Sequence, residues 1–126
     1  MSKNGTIVLV GHCGPDSWAL KSAIGSAVPG ATIIAADSNE ELEESLEDAA
    51  LLLVNRVLDG RFDEPGGVDL IRRLGAGGRG PKTMLVSNYG EAQREAEAAG
   101  ALPGFGKKEM YAAATREKLL RALGLV

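Results

Sequence analysis

The residues best equipped for chemistry stand together near the start of the chain, where Gly11-His12-Cys13-Gly14 follows the apolar run Ile7-Val8-Leu9-Val10. An imidazole beside a thiol can begin a transition-metal site, with Asp16 as a third ligand. It can also mark a redox-sensitive cysteine, whose thiolate is favoured close to a helix N-terminus. The chain holds one His and one Cys, and two soft ligands without a Cys-x-x-Cys pair or a second histidine make a poor zinc site. No metal and no cofactor are expected. A nucleophilic Cys13–His12 dyad is disfavoured, because neighbours on extended backbone point to opposite faces. The flanking glycines suggest a phosphate-binding turn, yet the third glycine of a dinucleotide fingerprint and the Gly-Lys-Ser/Thr ending of a P-loop are both missing. The plainer reading has His12 and Cys13 filling space at the end of a strand.

Composition narrows the function classes. The 126 residues fit one domain, taken to span residues 1–126. Hydrophobic residues at 44% and charged residues at 25% are those of a globular protein with a core, which excludes wholesale disorder. Fourteen Lys and Arg against seventeen Asp and Glu leave a net charge of -3 without a basic block, so no nucleic-acid partner is expected. A lone cysteine excludes an internal disulfide and fits a reducing cytoplasm. Ile7–Val10 is far too short for a membrane span or a secretory segment, so no membrane partner is expected either.

Apolar strands alternating with amphipathic helices must hold these side chains. Thr6–Val10 is a strand broken by Gly11, Gly14 and Pro15. Asp16 or Ser17 then caps a helix to about Ala27, with Trp18, Ala19, Ala23, Ile24 and Ala27 facing inward. Ala31–Ala36 is a second strand. Ser38 and Glu41 form a capping box for a helix to about Asp48, whose inward residues are Leu42, Leu46 and Ala49 and whose acids face water. Leu51–Val54 lacks alternation and reads as a central strand covered on both sides. A long polar loop over residues 55–67 follows, then a helix over Val68–Leu74. Gly75–Gly80 reads as a glycine-rich turn rather than a phosphate cradle, since no strand precedes it. Thr83–Val86 is the fourth strand, with Met84 and Leu85 in the core, and Asn88 with Glu91 resembles a second capping box. Ala101–Phe105 contains Pro103 and belongs at a sheet edge. Thr115–Leu123 closes the pattern, with Leu119, Leu120 and Leu123 on one stripe.

Five β–α units without a repeat or a linker imply right-handed crossovers and a three-layer, doubly wound α/β fold. Its five-stranded parallel sheet takes the flavodoxin-like order 2-1-3-4-5, with a crevice at the carboxyl ends of strands 1, 3 and 4. Strand 1 delivers Gly11, His12 and Cys13 there, strand 3 Asn55, strand 4 Ser87, and strand 5 Lys107 or Lys108. Ser87, a lysine and a helix N-terminus can together hold an anion. Equally, Ser87 can satisfy a backbone group and Phe105 can be core.

Three stretches give this arrangement a likeness. They are Met84-Leu85-Val86-Ser87-Asn88, Ala99-Gly100-Ala101 through Phe105 to Lys107-Lys108, and Gly67-Val68-Asp69-Leu70-Ile71-Arg72-Arg73-Leu74. In their order and spacing the chain resembles, over essentially its whole length, the receiver domain of two-component response regulators. The resemblance implies two acids after strand 1 and an aspartate ending strand 3 that hold Mg²⁺, the last of which accepts a phosphoryl group. It also implies a Ser or Thr after strand 4, a Lys after strand 5 and a reporting aromatic on strand 5. Ser87 and Phe105 match the hydroxyl and the aromatic. Counting from Gly100 selects Lys107 and counting from Phe105 selects Lys108, and the proline usual after that lysine is missing.

The departures decide the expected function. Gly11, His12 and Cys13 stand where the acids belong, and Asn55 stands where the acceptor belongs. An amide is a poor nucleophile and cannot form an acyl phosphate. Mg²⁺ prefers oxygen ligands, and an imidazole with a thiol does not replace them. The chain is therefore expected to be a degenerate, pseudo-receiver type, a stand-alone signalling module without enzymatic activity. Because no effector domain is read after it, its output is expected to pass through a protein partner: a histidine kinase, a phosphotransfer protein, an effector, or a second copy in a homodimer. The resemblance puts that contact on the face of the fourth helix, fifth strand and fifth helix, with Glu91, Arg94, Lys107, Lys108, Tyr111, Arg116 and Arg121. Asp59, Asp63 and Glu64 lie in the loop after Asn55, where the first two are the candidates for a displaced acceptor; the plainer reading is a solvated turn shaped by Asp59-Gly60. The competing function is a small-molecule, anion or metal-binding flavodoxin-like protein using a crevice of His12, Cys13, Asn55 and Ser87.

Overall fold

The computed structural model describes residues 5–76 and 80–125. Its strands are β1 (Thr6–Val10), β2 (Thr32–Ala36), β3 (Ala49–Asn55), β4 (Lys82–Val86) and β5 (Leu102–Phe105). The helices are α1 (Gly14–Ala27), α2 (Asn39–Ser45), α3 (Gly67–Gly75), α4 (Gly90–Ala98) and α5 (Ala113–Ala122), with a 3₁₀ turn at Lys107–Glu109 between β5 and α5. The strands form one sheet in the order β2-β1-β3-β4-β5 and every neighbouring pair is parallel, as the β–α alternation requires.

Unbroken apolar strands arise because both faces of the sheet are covered. Ile7, Leu9, Leu51, Leu53, Met84 and Val86 pack with Leu20, Ile24 and Leu119 of α1 and α5. Their strand neighbours Val8, Val10, Leu52, Val54 and Leu85 pack on the opposite face with Leu42, Leu70, Ile71 and Ala96 of α2, α3 and α4. The period of two along each strand sorts adjacent residues into two separate cores.

Helix α1 departs from the sequence reading in its start and its phase. Cys13 rather than Asp16 or Ser17 is the N-cap, and Pro15 lies in the first turn, where an N–H is dispensable. The buried stripe is Leu20, Ala23, Ile24 and Ala27. Trp18 stands two residues from Leu20, on the opposite side of the helix, and is 76% exposed rather than packed on the sheet. Trp18→Ala is accordingly expected to change unfolding stability by no more than about 0.5 kcal/mol; a loss comparable to a core truncation in urea denaturation would contradict this placement.

Ser38 does cap α2, its Oγ accepting from the Glu41 N–H at 3.1 Å. The Glu41 carboxylate reaches the Asp37 N–H at 2.6 Å, one residue earlier than a standard capping box. Helix α2 is shorter than expected, and Ala49 opens β3 instead of lying on α2. Asn88 caps no helix. Tyr89 is the N-cap of α4, and the Asn88 Oδ1 accepts from the Lys108 N–H at 3.2 Å, tying the β4–α4 turn to the turn after β5. Residues 77–79 of the Gly75–Gly80 connector lie outside the described residues. Strand β5 occupies the sheet edge, where Pro103 offers no N–H. The N–H of Gly104 donates to Gln93 Oε1 and its carbonyl accepts from Lys118 Nζ, so side chains occupy the groups another strand would need.

Candidate functional site

Asn55 ends β3, and both hydrogens of its side-chain amide are used. Nδ2 donates to the Gly11 carbonyl at 3.0 Å and to the Val57 carbonyl at 2.7 Å. Both partners are acceptors only, which fixes the orientation of the amide. Gly11 has φ +71° and lies under Leu58, which a Cβ would strike. The glycine thus serves both a left-handed turn and close approach of the following loop.

That loop, residues 56–66, is a strap across the carboxyl end of the sheet. The Asp59 N–H donates to the Gly11 carbonyl and the Arg61 N–H to the Asp37 carbonyl, each at 2.8 Å. Ser38 and Arg61 form a parallel bridge, and the Asp63 N–H donates to Asn39 Oδ1 at 2.6 Å. The Asn39 amide in turn donates to Glu64, which also pairs with Arg73. Burial alone would raise the Glu64 carboxyl, but the hydrogen bonds from Asn39 and Arg73 outweigh it and hold the group low. Gly60, at φ +114° against the Asp37 carbonyl, turns the strap as the Asp59-Gly60 pair suggested. Asp59 acts on Asp37, whose carboxyl is raised by burial and then by the Glu41 and Asp59 charges. This acidic group is tied to the end of β2, on the far side of the sheet from the lysine that follows β5.

His12 is 2% exposed and turned into the sheet, its Nε2–H donating to the Leu53 carbonyl at 2.9 Å. Burial lowers its pKa to about 4, which the Leu53 carbonyl opposes and the Lys107 charge reinforces. The ring is neutral at pH 7, and Nδ1 is buried without a hydrogen-bond partner among the described residues. Cys13 is the half-buried N-cap of α1. Asp16, in the first turn of α1, accepts from Lys107 Nζ at 2.5 Å across 91 residues of sequence. That hydrogen bond, with a smaller one from the Cys13 thiol, holds the Asp16 carboxyl below the usual range. Among the described residues no three His, Cys, Asp or Glu side chains converge as metal ligands, so His12, Cys13 and Asp16 do not form such a set.

The lysine entering the crevice is Lys107; Lys108 is exposed and touches the site through its backbone N–H. Ser87 is buried, and its Oγ accepts from the Tyr89 N–H at 3.1 Å, forming the turn into α4. Phe105 is buried in the α1–α5 core. Gln93 was not singled out from the sequence, yet its Nε2 donates to the carbonyls of Leu85 and Ser87 at 2.8 and 3.2 Å. The available signal was an uncharged amide among the Glu and Arg of α4, next to the inward Ala92.

The site is therefore two clusters: Asn55 with Gly11 and the strap, and Lys107 with Asp16, Cys13 and His12. Ser87 is committed to its own turn. The open cleft at this end, about 640 Å³, lies instead between the starts of α3 and α4. Arg56 stacks there over the Tyr89 ring at 4.7 Å from its centroid. Among the described residues no helix is long and apolar enough to cross a membrane.

No protein-family model matches the sequence, and no curated protein sequence matches it. Solved structures do. The signal receiver domain of a DNA-binding response regulator from Colwellia psychrerythraea 34H superposes with a TM-score of 0.73 at 13% identity, over 95% of this chain and 98% of that one. A response regulator from Thermotoga maritima gives 0.72 at 19% identity, over 95% and 98%. The non-phosphorylated receiver domain of the stress response regulator RcsB from Escherichia coli gives 0.71 at 12% identity, over 94% and 92%. With its strand order and its helices on both faces, the chain has the fold of response-regulator receiver domains.

Proposed function

We propose that the chain is a receiver-type signalling module that works through protein–protein contacts without phosphorylation at Asn55. The observation that carries this reading is the engagement of the Asn55 amide. Both of its hydrogens are held by backbone carbonyls, Gly11 and Val57, and the residue is a structural tie between β1 and the strap rather than a free acceptor. The lysine that would meet a phosphoryl group is already paired with Asp16, and the hydroxyl of Ser87 already accepts from Tyr89. Phosphoryl transfer requires a nucleophile and a hard-cation site, and Asn55 with Gly11, His12 and Cys13 supplies neither a carboxylate acceptor nor carboxylate ligands at those positions.

The module then performs no catalysis, acts in the cytoplasm and signals by binding a kinase, a phosphotransfer protein or an effector. The face of α4, β5 and α5 is the proposed contact, with Arg94, Lys108, Tyr111 and Arg116 exposed on it. A homodimer through the same face is a second form of this contact. The small-molecule, anion or metal reading of the His12, Cys13, Asn55 and Ser87 crevice draws less support, because His12 Nε2, Asn55 Nδ2 and Ser87 Oγ are engaged internally and His12 is buried.

Incubation with acetyl phosphate and Mg²⁺, followed by intact-mass measurement, tests the proposal. The expected spectrum is unchanged. An added phosphoryl mass that alkaline hydroxylamine removes would mean that another carboxylate, Asp59 or Asp63 first, serves as acceptor.

A further inference from the structure

We propose that an apolar cup at the amino ends of β4 and β5 receives an acidic segment of a partner protein, with one large apolar side chain in the cup and carboxylates around its rim. The inference rests on reading the chain as a contact-based module, and it identifies the chemistry of a contact.

The cup lies between the starts of β4 and β5 and the last turns of α5, at the opposite end of the sheet from Asn55 and Lys107. Its floor is Met84, Leu102, Pro103 and Ala122, and Lys82, Lys118 and Arg121 stand at its rim. At about 280 Å³ it lies at the lower edge of the roughly 300–1,000 Å³ of small-molecule sites. That size suits the anchor residue of a peptide better than a cofactor.

The rim supplies the charge argument. Lys82 Nζ donates to the Ala122 carbonyl at 2.9 Å and Lys118 Nζ to the Gly104 carbonyl at 2.8 Å. Each bond uses one of three ammonium hydrogens and brings no negative charge, so both cations are held in place, and neither has a carboxylate partner among the described residues. Arg121 pairs with Glu117 on the next turn, with both side chains more than half exposed, an exchangeable contact. Three cations around an apolar floor, in a chain of net charge -3, form a local field that selects an acidic partner. Fixing the ammonium groups beforehand lowers the ordering cost of binding. The partner must engage through side chains, since the Gly104 backbone groups are already occupied and Pro103 has no N–H to offer a strand.

The test uses the whole chain, isotope-labelled for NMR, and two synthetic peptides. One carries a central Phe flanked by Glu; the other has Lys in place of each Glu. The Glu peptide is expected to shift the amides of Lys82, Leu102, Lys118 and Arg121, and to bind more weakly as salt rises. Arg121→Glu and Lys118→Glu are each expected to weaken it by about tenfold. Arg121→Glu leaves both lysine–carbonyl bonds intact, so it reports on binding even if Lys118→Glu unfolds. Equal binding of the Lys peptide, shifts confined to the α3–α4 cleft, or no shifts at low salt would overturn the proposal. So would occupation of the cup by decanoate but not by the peptide, or by a second copy of the chain in sedimentation. Phosphorylation by acetyl phosphate would sink the proposed function and leave this binding measurement standing.

Discussion

Acidification from pH 6.5 to pH 4 is expected to remove about 3 kcal/mol of folding stability through His12 alone. The unfolded chain titrates this imidazole near its ordinary 6.5, while burial lowers it to about 4 in the folded state. Between those values the unfolded chain binds the extra proton, so stability rises with pH across the window. It is complete above about 6.5 and is lost as the pH falls through 4. Geometry gives the reason: Nε2–H already donates to Leu53, and a proton on Nδ1 would find no acceptor. Asp37, raised by burial beside Glu41 and Asp59, acts in the opposite direction, gaining stability as it protonates. Asp16 and Glu64, both held low, lose theirs only at more acid pH. Urea unfolding at half-unit pH steps checks this, with His12→Gln as the variant whose curve should flatten above pH 5. Because the chain has one histidine, a single imidazole NMR signal reports the midpoint directly. A midpoint near 6.5 with a flat stability curve would show that the ring is hydrated or paired.

The second large effect concerns Asn55→Asp. In a receiver-like chain this exchange looks restorative, yet here it is expected to cost about 2 kcal/mol, two hydrogen bonds at about 1 kcal/mol each. The carboxylate cannot donate, so both bonds are lost. It also sets negative charge against two carbonyl oxygens, a cost that Asn55→Ala avoids. Asn55→Asp should therefore be at least as unstable as Asn55→Ala at neutral pH, although it is the better match in size. Acetyl phosphate with Mg²⁺ should still leave it unlabelled, since Gly11, His12 and Cys13 provide no acidic pair. Undiminished stability, or Mg²⁺-dependent labelling of this variant, would mean that Asn55 is not the tie described here.

The two effects arise at one place, the junction of the carboxyl ends of β1 and β3. In this chain the carboxyl ends of β1 and β3 are closed by backbone and amide hydrogen bonds around Gly11. His12 and Asn55 are the side chains that join β1 to β3 and to the strap. Polar groups that would be free in an open crevice are instead part of the packing, and a change at either is felt first as stability.

The sequence by itself determined the element order, the doubly wound sheet and its edge at β5, because these rest on local periodicity and on the handedness of crossovers. It also determined that an amide stands at the end of strand 3, and it marked the Ser38 cap, which needs partners only three residues apart. Only the tertiary structure decided which carboxylate meets Lys107, since Asp16 lies 91 residues away and no local pattern joins them. It likewise decided between Lys107 and Lys108, turned Trp18 outward by the phase of one helix, and drew Asn88 from a helix cap to the Lys108 backbone. The order of the strap belongs to the same group. Its bonds link β1, β2 and α2 to a loop that reads as polar turn in isolation, and hydrogen bonds between distant segments acquire partners only when the sheet brings those segments together.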